Sequence, residues 1–180
     1  MAAGSLLAIP QPTLTTEDLT LRPWNAGDTD LVRTAFADPD IQRWFTRRMD
    51  SATEAREWAE DWVNRWAAET AASWAIDTGD VVGQVGLRAI SLFDGAAEVS
   101  YWLLPAGRGR GIAARAVDMM TRWAFADLGL HRLVIQHSTR NTASCRVAEK
   151  AGFPAEGTRR DALRHTDGWH DMHVHARLST

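Results

Sequence analysis

The sequence of 180 residues predicts an α+β fold, and three observations carry that expectation. Short runs rich in β-branched and aromatic residues recur at 19–22, 74–77, 81–91, 97–104 and 133–137. Two longer segments, 52–68 and 111–128, instead repeat apolar residues at helical spacing. Between the strand at 97–104 and the second of these helices lies Arg108-Gly109-Arg110-Gly111-Ile112-Ala113, a strand-to-helix turn holding two glycines and two arginines.

Each element follows from local chemistry. Leu19 to Arg22 alternates as a short strand, and Pro23 stops it. Asn25 or Asp28 can cap the helix that carries Leu31, Val32, Ala35 and Phe36 and ends near Asp38-Pro39. Ser51-Ala52-Thr53-Glu54 reads as a capping box, behind which Ala55, Trp58, Ala59, Trp62, Val63 and Trp66 recur at helical spacing. The strands at 74–77, 81–91 and 97–104 succeed one another antiparallel, with turns at Thr78-Gly79-Asp80 and Asp94-Gly95. Ile112, Ala116, Met120 and Trp123 mark the buried face of the helix after the Gly/Arg turn. A strand at 133–137, a helix at 142–151 ending at Gly152, and a hairpin of 158–161 with 172–178 complete the chain. Residues 1–16 are expected to form a loose N-terminal tail and 17–180 a single domain.

Composition narrows the function classes. A formal charge of -3 supplies no basic field for nucleic acid and no polybasic membrane anchor. The one cysteine, Cys145, allows no internal disulfide and fits a reducing compartment, so a cytoplasmic location is expected. The N-terminal stretch is too short for a membrane span and lacks a basic flank. The tryptophans Trp58, Trp62 and Trp66 share a helical stripe, which reads as core rather than as a ligand cage.

The Gly/Arg turn is where the sequence points to chemistry. Glycines let backbone approach a ligand closely, the first N–H groups of a helix lack internal partners, and the helix dipole favours negative charge there. Arginine adds bidentate contacts to phosphate oxygens. The spacing fits neither G-x-x-x-x-G-K-[ST] nor the dinucleotide G-x-G-x-x-G, and the one lysine is Lys150, far from the turn.

Arg108 to Ala113 does match [RQ]-x-x-G-x-[GA], the acetyl-coenzyme A signature of the GNAT N-acetyltransferases. Glu98-Val99-Ser100-Tyr101-Trp102-Leu103-Leu104 before it, and Asn141-Thr142-Ala143-Ser144 running into Glu149-Lys150-Ala151-Gly152-Phe153 after it, resemble the branch containing the ribosomal-protein N-terminal acetyltransferases. Leu19 to Pro23 and Gly168-Trp169-His170-Asp171 fit the same branch, so the similarity spans roughly residues 17–178. It implies a central, mostly antiparallel mixed sheet with a V-shaped splay between the fourth and fifth strands, counted from 19–22. It also implies acetyl transfer to a primary amine, of a protein N-terminus or a small molecule, by direct attack in a ternary complex. A non-catalytic acyl-coenzyme A sensor, or use of another donor such as succinyl-coenzyme A, stays open as an alternative. A monomer or a homodimer fits equally.

The resemblance places the backbone of Trp102, Leu103 and Leu104 in the slot that clasps the pantetheine arm, with Arg108, Gly109, Arg110, Gly111, Ile112 and Ala113 around the pyrophosphate. Trp102 and Trp169 could also line an acceptor pocket. Glu98 is the candidate general base, sharing a strand face with Ser100 and Trp102. A carboxylate in an otherwise apolar cleft would have a raised pKa suited to an ammonium substrate. Many GNAT enzymes return a proton to coenzyme A from a tyrosine, but the single tyrosine here, Tyr101, stands on a different element. In the ribosomal-protein branch a serine fills that place, and Ser144 matches it; Asn141 would hydrogen-bond the pantetheine or the acceptor. Read locally, Asn141 is equally a helix cap with Ser144 three residues on. Cys145 reads as a small buried residue. Asp161, Asp167 and Asp171, near a hairpin at 162–170, are candidates to attract a cationic acceptor. His165, His170, His173 and His175 cluster in sequence, and His173 and His175 would share a strand face with Asp171. With no H-E-x-x-H and no cysteine pair, no metal is expected.

Overall fold

The computed structural model describes residues 4, 6, 7, 9–45 and 47–179. Eight strands form one sheet: β1 (Leu14–Thr15), β2 (Thr20–Pro23), β3 (Ala72–Asp77), β4 (Val81–Ser91), β5 (Ala96–Leu103), β6 (Arg132–Ser138), β7 (Ala155–His165) and β8 (Gly168–Leu178), in the order β1-β2-β3-β4-β5-β6-β8-β7. Every neighbouring pair is antiparallel except β5 and β6. A parallel pair needs a crossover, and α4 (Ile112–Ala126) supplies it.

Strand alternation sends side chains to both faces, and each face has its own cover. Val85, Leu87, Val99, Leu133 and Ile135 pack with Ile112, Ala116, Val117, Met120 and Ala124 of α4. Trp102 and Ala75, out of step with those residues, pack instead with Val32, Ala35 and Phe36 of α1 (Thr29–Ala37) and with Ala55, Trp58, Ala59 and Trp62 of α3 (Ala52–Ala67). The tryptophan stripe is therefore core. Trp58 meets Trp24 and Phe36 edge-on at 5.1 and 5.7 Å, while Trp66 reaches the other cluster and stacks on Trp123 at 6.0 Å.

The helix starts follow their caps. Ser51 Oγ accepts the Glu54 N–H, and the Glu54 carboxylate turns back to the N–H of Asp50. After α1 the chain does not leave helical structure as expected. Asp38 accepts from the Ile41 N–H and Pro39 occupies the first turn of a further helix, α2 (Pro39–Trp44), so Asp-Pro here is a start signal as well as a stop.

Two expectations are corrected. The segment before residue 17 is not a loose tail at its described positions; residues 1–3, 5 and 8 lie outside them. Leu6 is fully buried, and the indole N–H groups of Trp66 and Trp74 donate to the carbonyls of Ile9 and Pro12 at 2.8 and 2.7 Å. Buried indoles require acceptors, and this segment provides them. The final hairpin is also longer than expected. Most of β7 is exposed and polar, so no apolar alternation marks it, and a register shift between Arg159 and Leu163 surrounds Asp161, at φ 44°. The Asp161 N–H is held by the Asp171 carboxylate at 2.9 Å.

The feature that positions the site is the parting of β5 from β6. Their pairing runs only from Ala96↔Arg132 to Val99↔Ile135, although β5 continues to Leu103 and β6 to Ser138. This is the splay expected between the fourth and fifth strands, numbered one higher because β1 precedes them. Helix α5 (Thr142–Lys150) starts just beyond the end of β6.

Candidate active site

Main-chain groups line one side of the parting. The Leu104 N–H donates to Val82 at 2.9 Å, on the β4 side. Alternation then aims the N–H and C=O of Tyr101 and Leu103 at the gap left by β6. The Leu103 carbonyl is already taken by Arg108 Nε at 3.0 Å. The Tyr101 main chain and the Leu103 N–H remain facing the gap, where a thioester arm can be clasped by backbone.

The Gly/Arg turn behaves as its composition predicts in its backbone. Gly109 and Gly111 both adopt positive φ, 75° and 74°, and Gly111 caps α4 from the left-handed region. The chain then tightens into the helix, the Arg115 N–H reaching back to Gly111. Among the described residues, the N–H groups of Gly109 to Ala114 donate to no protein acceptor. Six successive free donors at a helix start are the arrangement that binding an anion would require. Arg110 is exposed beside it. Arg108 is not available in the same way: its guanidinium bonds Asp40 at 2.6 Å and Asp38 at 2.7 Å, tying the turn to the start of α2. Burial alone would raise the Asp38 carboxyl, but hydrogen bonds from Arg108 and the Ile41 N–H hold it below its ordinary value.

Across the parting stands a pair of hydroxyls. Tyr101 Oη lies 2.6 Å from Ser144 Oγ and 3.2 Å from the Ser144 carbonyl. Burial pushes the Tyr101 phenol up to about 12, against the smaller opposing pull of Ser144. In sequence Tyr101 stands on a strand, away from the element expected to carry such a tyrosine; the splay brings that strand opposite α5 and sets Tyr101 beside Ser144. Asn141 is the cap of α5, its Oδ1 accepting the Ser144 N–H at 3.0 Å. The cap therefore uses the Ser144 main chain and leaves the Ser144 hydroxyl to Tyr101.

Glu98 lies where β5 and β6 are still paired, opposite Val134 and one residue before the last pair. Its surroundings are not the apolar cleft expected. Its carboxylate accepts from Gln136 Nε2 at 2.9 Å, pairs with Arg88 at 3.2 Å, and is 37% exposed. The Trp102 side chain is buried against Trp24 and Phe36, whereas Trp169 is exposed. A hollow of about 410 Å³ lies over α3, lined by Arg47, Glu57, Trp58, Glu60, Asp61 and Asn64, and none of these belongs to the parting.

Five of the six histidines divide into two groups. His165 and His170 overlap 4.3 Å apart beside Trp44, with His170 held between Ser138 Oγ and Asp167. Asp167 also pairs with Arg140, so it carries no uncompensated charge toward an acceptor. His173 and His175 are joined by His137 and Cys145, not by Asp171. Cys145 is half-buried rather than enclosed, its thiol facing Glu149 at 3.7 Å. The sequence alone does not point to His137, because β6 gives no local hint that β8 pairs with it residue for residue, His137 opposite His173.

Comparison with known proteins fits this geometry. The acetyltransferase (GNAT) domain matches residues 18–154. An uncharacterised N-acetyltransferase of Bacillus subtilis, YoaA, is 25% identical over 169 residues, 92% of this chain and 96% of that protein. The ribosomal-protein-serine acetyltransferase of Escherichia coli is 28% identical over 99 residues, 55% of each chain. The fold also matches the solved structure of RimL, a ribosomal L7/L12 α-N-protein acetyltransferase in complex with coenzyme A, with a TM-score of 0.85 at 22% identity, covering 93% of this chain and 98% of that one. Ribosomal-protein acetyltransferases are thus among the proteins this chain resembles. With the cradle, the parted strands and a domain match over most of its length, the chain belongs to the GNAT family of acetyltransferases.

Proposed function

We propose that the protein transfers an acetyl group from acetyl-coenzyme A to a primary amine, by direct attack within a ternary complex. The observation that carries this reading is the row of free N–H donors from Gly109 to Ala114 at the mouth of the β5–β6 parting. The cradle takes the pyrophosphate, with Arg110 adding charge, while Arg108 holds the turn in shape through Asp38 and Asp40. The pantetheine arm then runs along the gap edge of β5, where a free N–H of Tyr101 or Leu103 can polarise the thioester carbonyl.

In the step itself the amine nitrogen forms a bond to the carbonyl carbon and the carbon–sulfur bond breaks. Glu98, directly or through water, takes the proton the amine sheds, and Arg88 and Gln136 fix its carboxylate for that role. The thiolate leaves toward Ser144. In this reading Tyr101 donates to Ser144 Oγ, 2.6 Å away, so that the serine keeps its own hydrogen for the sulfur. Asn141 fixes the turn on which Ser144 rides, its amide Nδ2 being left for the pantetheine or the acceptor.

The acceptor is a protein N-terminus, in keeping with the ribosomal-protein acetyltransferases among its relatives, in a cytoplasmic setting. Thiol release from acetyl-coenzyme A, measured across N-terminal peptides and small amines, tests both claims. Turnover with peptides above that with free amines supports the reading; turnover with small amines alone would replace the acceptor class. No turnover and no calorimetric binding of acetyl-coenzyme A would overturn the function.

A further inference from the structure

Helix α5 and strands β6 and β8 bring together four groups that the transfer reaction does not use. One ligand atom from each of His137, Cys145, His173 and His175 falls within 4.8 Å of all the others. His137 and His175 are 5% and 1% exposed, and their Nε2 atoms stand 3.2 Å apart. Their tautomers are fixed from behind. His137 Nδ1 lies 2.8 Å from the Ser138 carbonyl and His175 Nδ1 lies 3.0 Å from the Phe153 carbonyl, and a carbonyl only accepts. Each ring therefore spends its N–H on Nδ1 and turns an Nε2 lone pair toward the other ring. Two facing lone pairs at this separation repel unless an acceptor of electron pairs sits between them.

We propose that these four residues form a binding site for a divalent transition-metal ion of borderline softness, Zn(II). Ligand nitrogens about 2.0–2.1 Å from a tetrahedral zinc stand about 3.3 Å apart, close to the separation seen between His137 and His175. Imidazole held by Nδ1–H to a main-chain carbonyl is the usual outer support of a zinc ligand. A three-nitrogen, one-sulfur set excludes magnesium and calcium, which take oxygen. His173 and Cys145 are half-buried, so their side chains have room to close on the ion. On binding, the Cys145 S–H bond breaks, its proton leaves to solvent and the thiolate pair forms the sulfur–metal bond; no oxidation state changes. The site would tie α5 to β6 and β8 one residue from Ser144.

The test reads metal binding, so its outcome is separate from that of acetyl transfer. The full chain, freed of metal by a chelator, is titrated with Co(II) and then with Zn(II). One Co(II) per chain with tetrahedral visible absorption and a thiolate charge-transfer band, displaced by Zn(II), is expected. Cys145→Ser should abolish the charge-transfer band, and both it and His173→Ala should weaken Co(II) binding at least about 10-fold while circular dichroism shows the fold retained. Octahedral absorption only, or Co(II) affinity unchanged in both variants, would overturn the site and leave a proton shared between His137 and His175 as the group between the rings.

Discussion

Replacing Tyr101 by phenylalanine removes one oxygen from the parting and leaves the ring packed against the α4 side of the core. The lost bond, 2.6 Å to Ser144 Oγ, joins two neutral groups, so about 1 kcal/mol of stability should go with it. The rate should respond differently. If Tyr101 acts by polarising Ser144, turnover at saturating substrate falls about 10- to 100-fold, the low end for a proton donor because a thiolate is a good leaving group. Ser144→Ala should cost at least as much, and its helix cap survives because Asn141 accepts from the main chain. Since one residue works through the other, Tyr101→Phe added to Ser144→Ala should slow turnover no further. Thiol release and melting temperature measured on the four proteins decide the matter. Additive rate losses, or full turnover with lowered melting temperatures, would refute the relay and leave the two hydroxyls as packing.

The same tyrosine sets an alkaline limit. Its phenol titrates near 10 in the unfolded chain and at about 12 in the fold. Between those values the native state keeps a proton the unfolded state has lost. Stability from this group is thus fully present below about pH 10 and is lost as pH rises through about 12, up to about 3 kcal/mol. Denaturant melts of Tyr101→Phe should lack that part of the decline.

Three further outcomes follow from the cradle and the base. Gly111→Asp places a carboxylate where a side chain meets nothing within 4 Å, at a φ of 74° that aspartate tolerates, so the protein should fold yet bind acetyl-coenzyme A more than about 10-fold more weakly by calorimetry. Glu98→Gln should lower turnover most near neutral pH, where the amine is protonated, with cofactor affinity nearly unchanged; the exposed Arg88 pair it breaks is worth less than about 1 kcal/mol, so unchanged turnover would assign the base elsewhere. Arg108→Ala should cost about 1 kcal/mol of stability while weakening coenzyme binding less than Gly111→Asp does. Because Arg108 keeps the Asp38 carboxyl below its ordinary value, wild-type stability present above about pH 4 is lost on acidification, and this variant should lose less in chemical melts across that range.

Legibility in the sequence tracked how local each interaction is. α3 and α4 announce themselves because a buried stripe repeats every turn, and β5 because it is apolar for most of its length. β7 does not, since its exposed residues carry no apolar alternation, and α2 is shorter than the window in which a period can be recognised. The left-handed turn at Gly109 and Gly111 was readable because glycine and a helix start suffice to make it. The Asn141 cap was readable because its partner is three residues away. The Tyr101–Ser144 contact was not, being 43 residues apart and dependent on where β5 leaves β6. The histidine and cysteine cluster likewise needs the β6–β8 register before His137 meets His173.

Glu98 shows how fine that dependence can be. Near the Asp94-Gly95 turn Ser91 pairs with Ala96, and continuing that register would set Glu98 opposite Ala89. Instead Ala89 takes a φ of 47° at a bulge, one extra residue is absorbed into β4, and Glu98 comes to face Arg88. A left-handed alanine costs about 1 kcal/mol relative to glycine there, a cost the strand carries to bring a guanidinium to the carboxylate. The identity of the candidate base was visible in the sequence; the group that holds it in place depends on a single inserted residue in the neighbouring strand, which no periodicity of β5 itself could disclose.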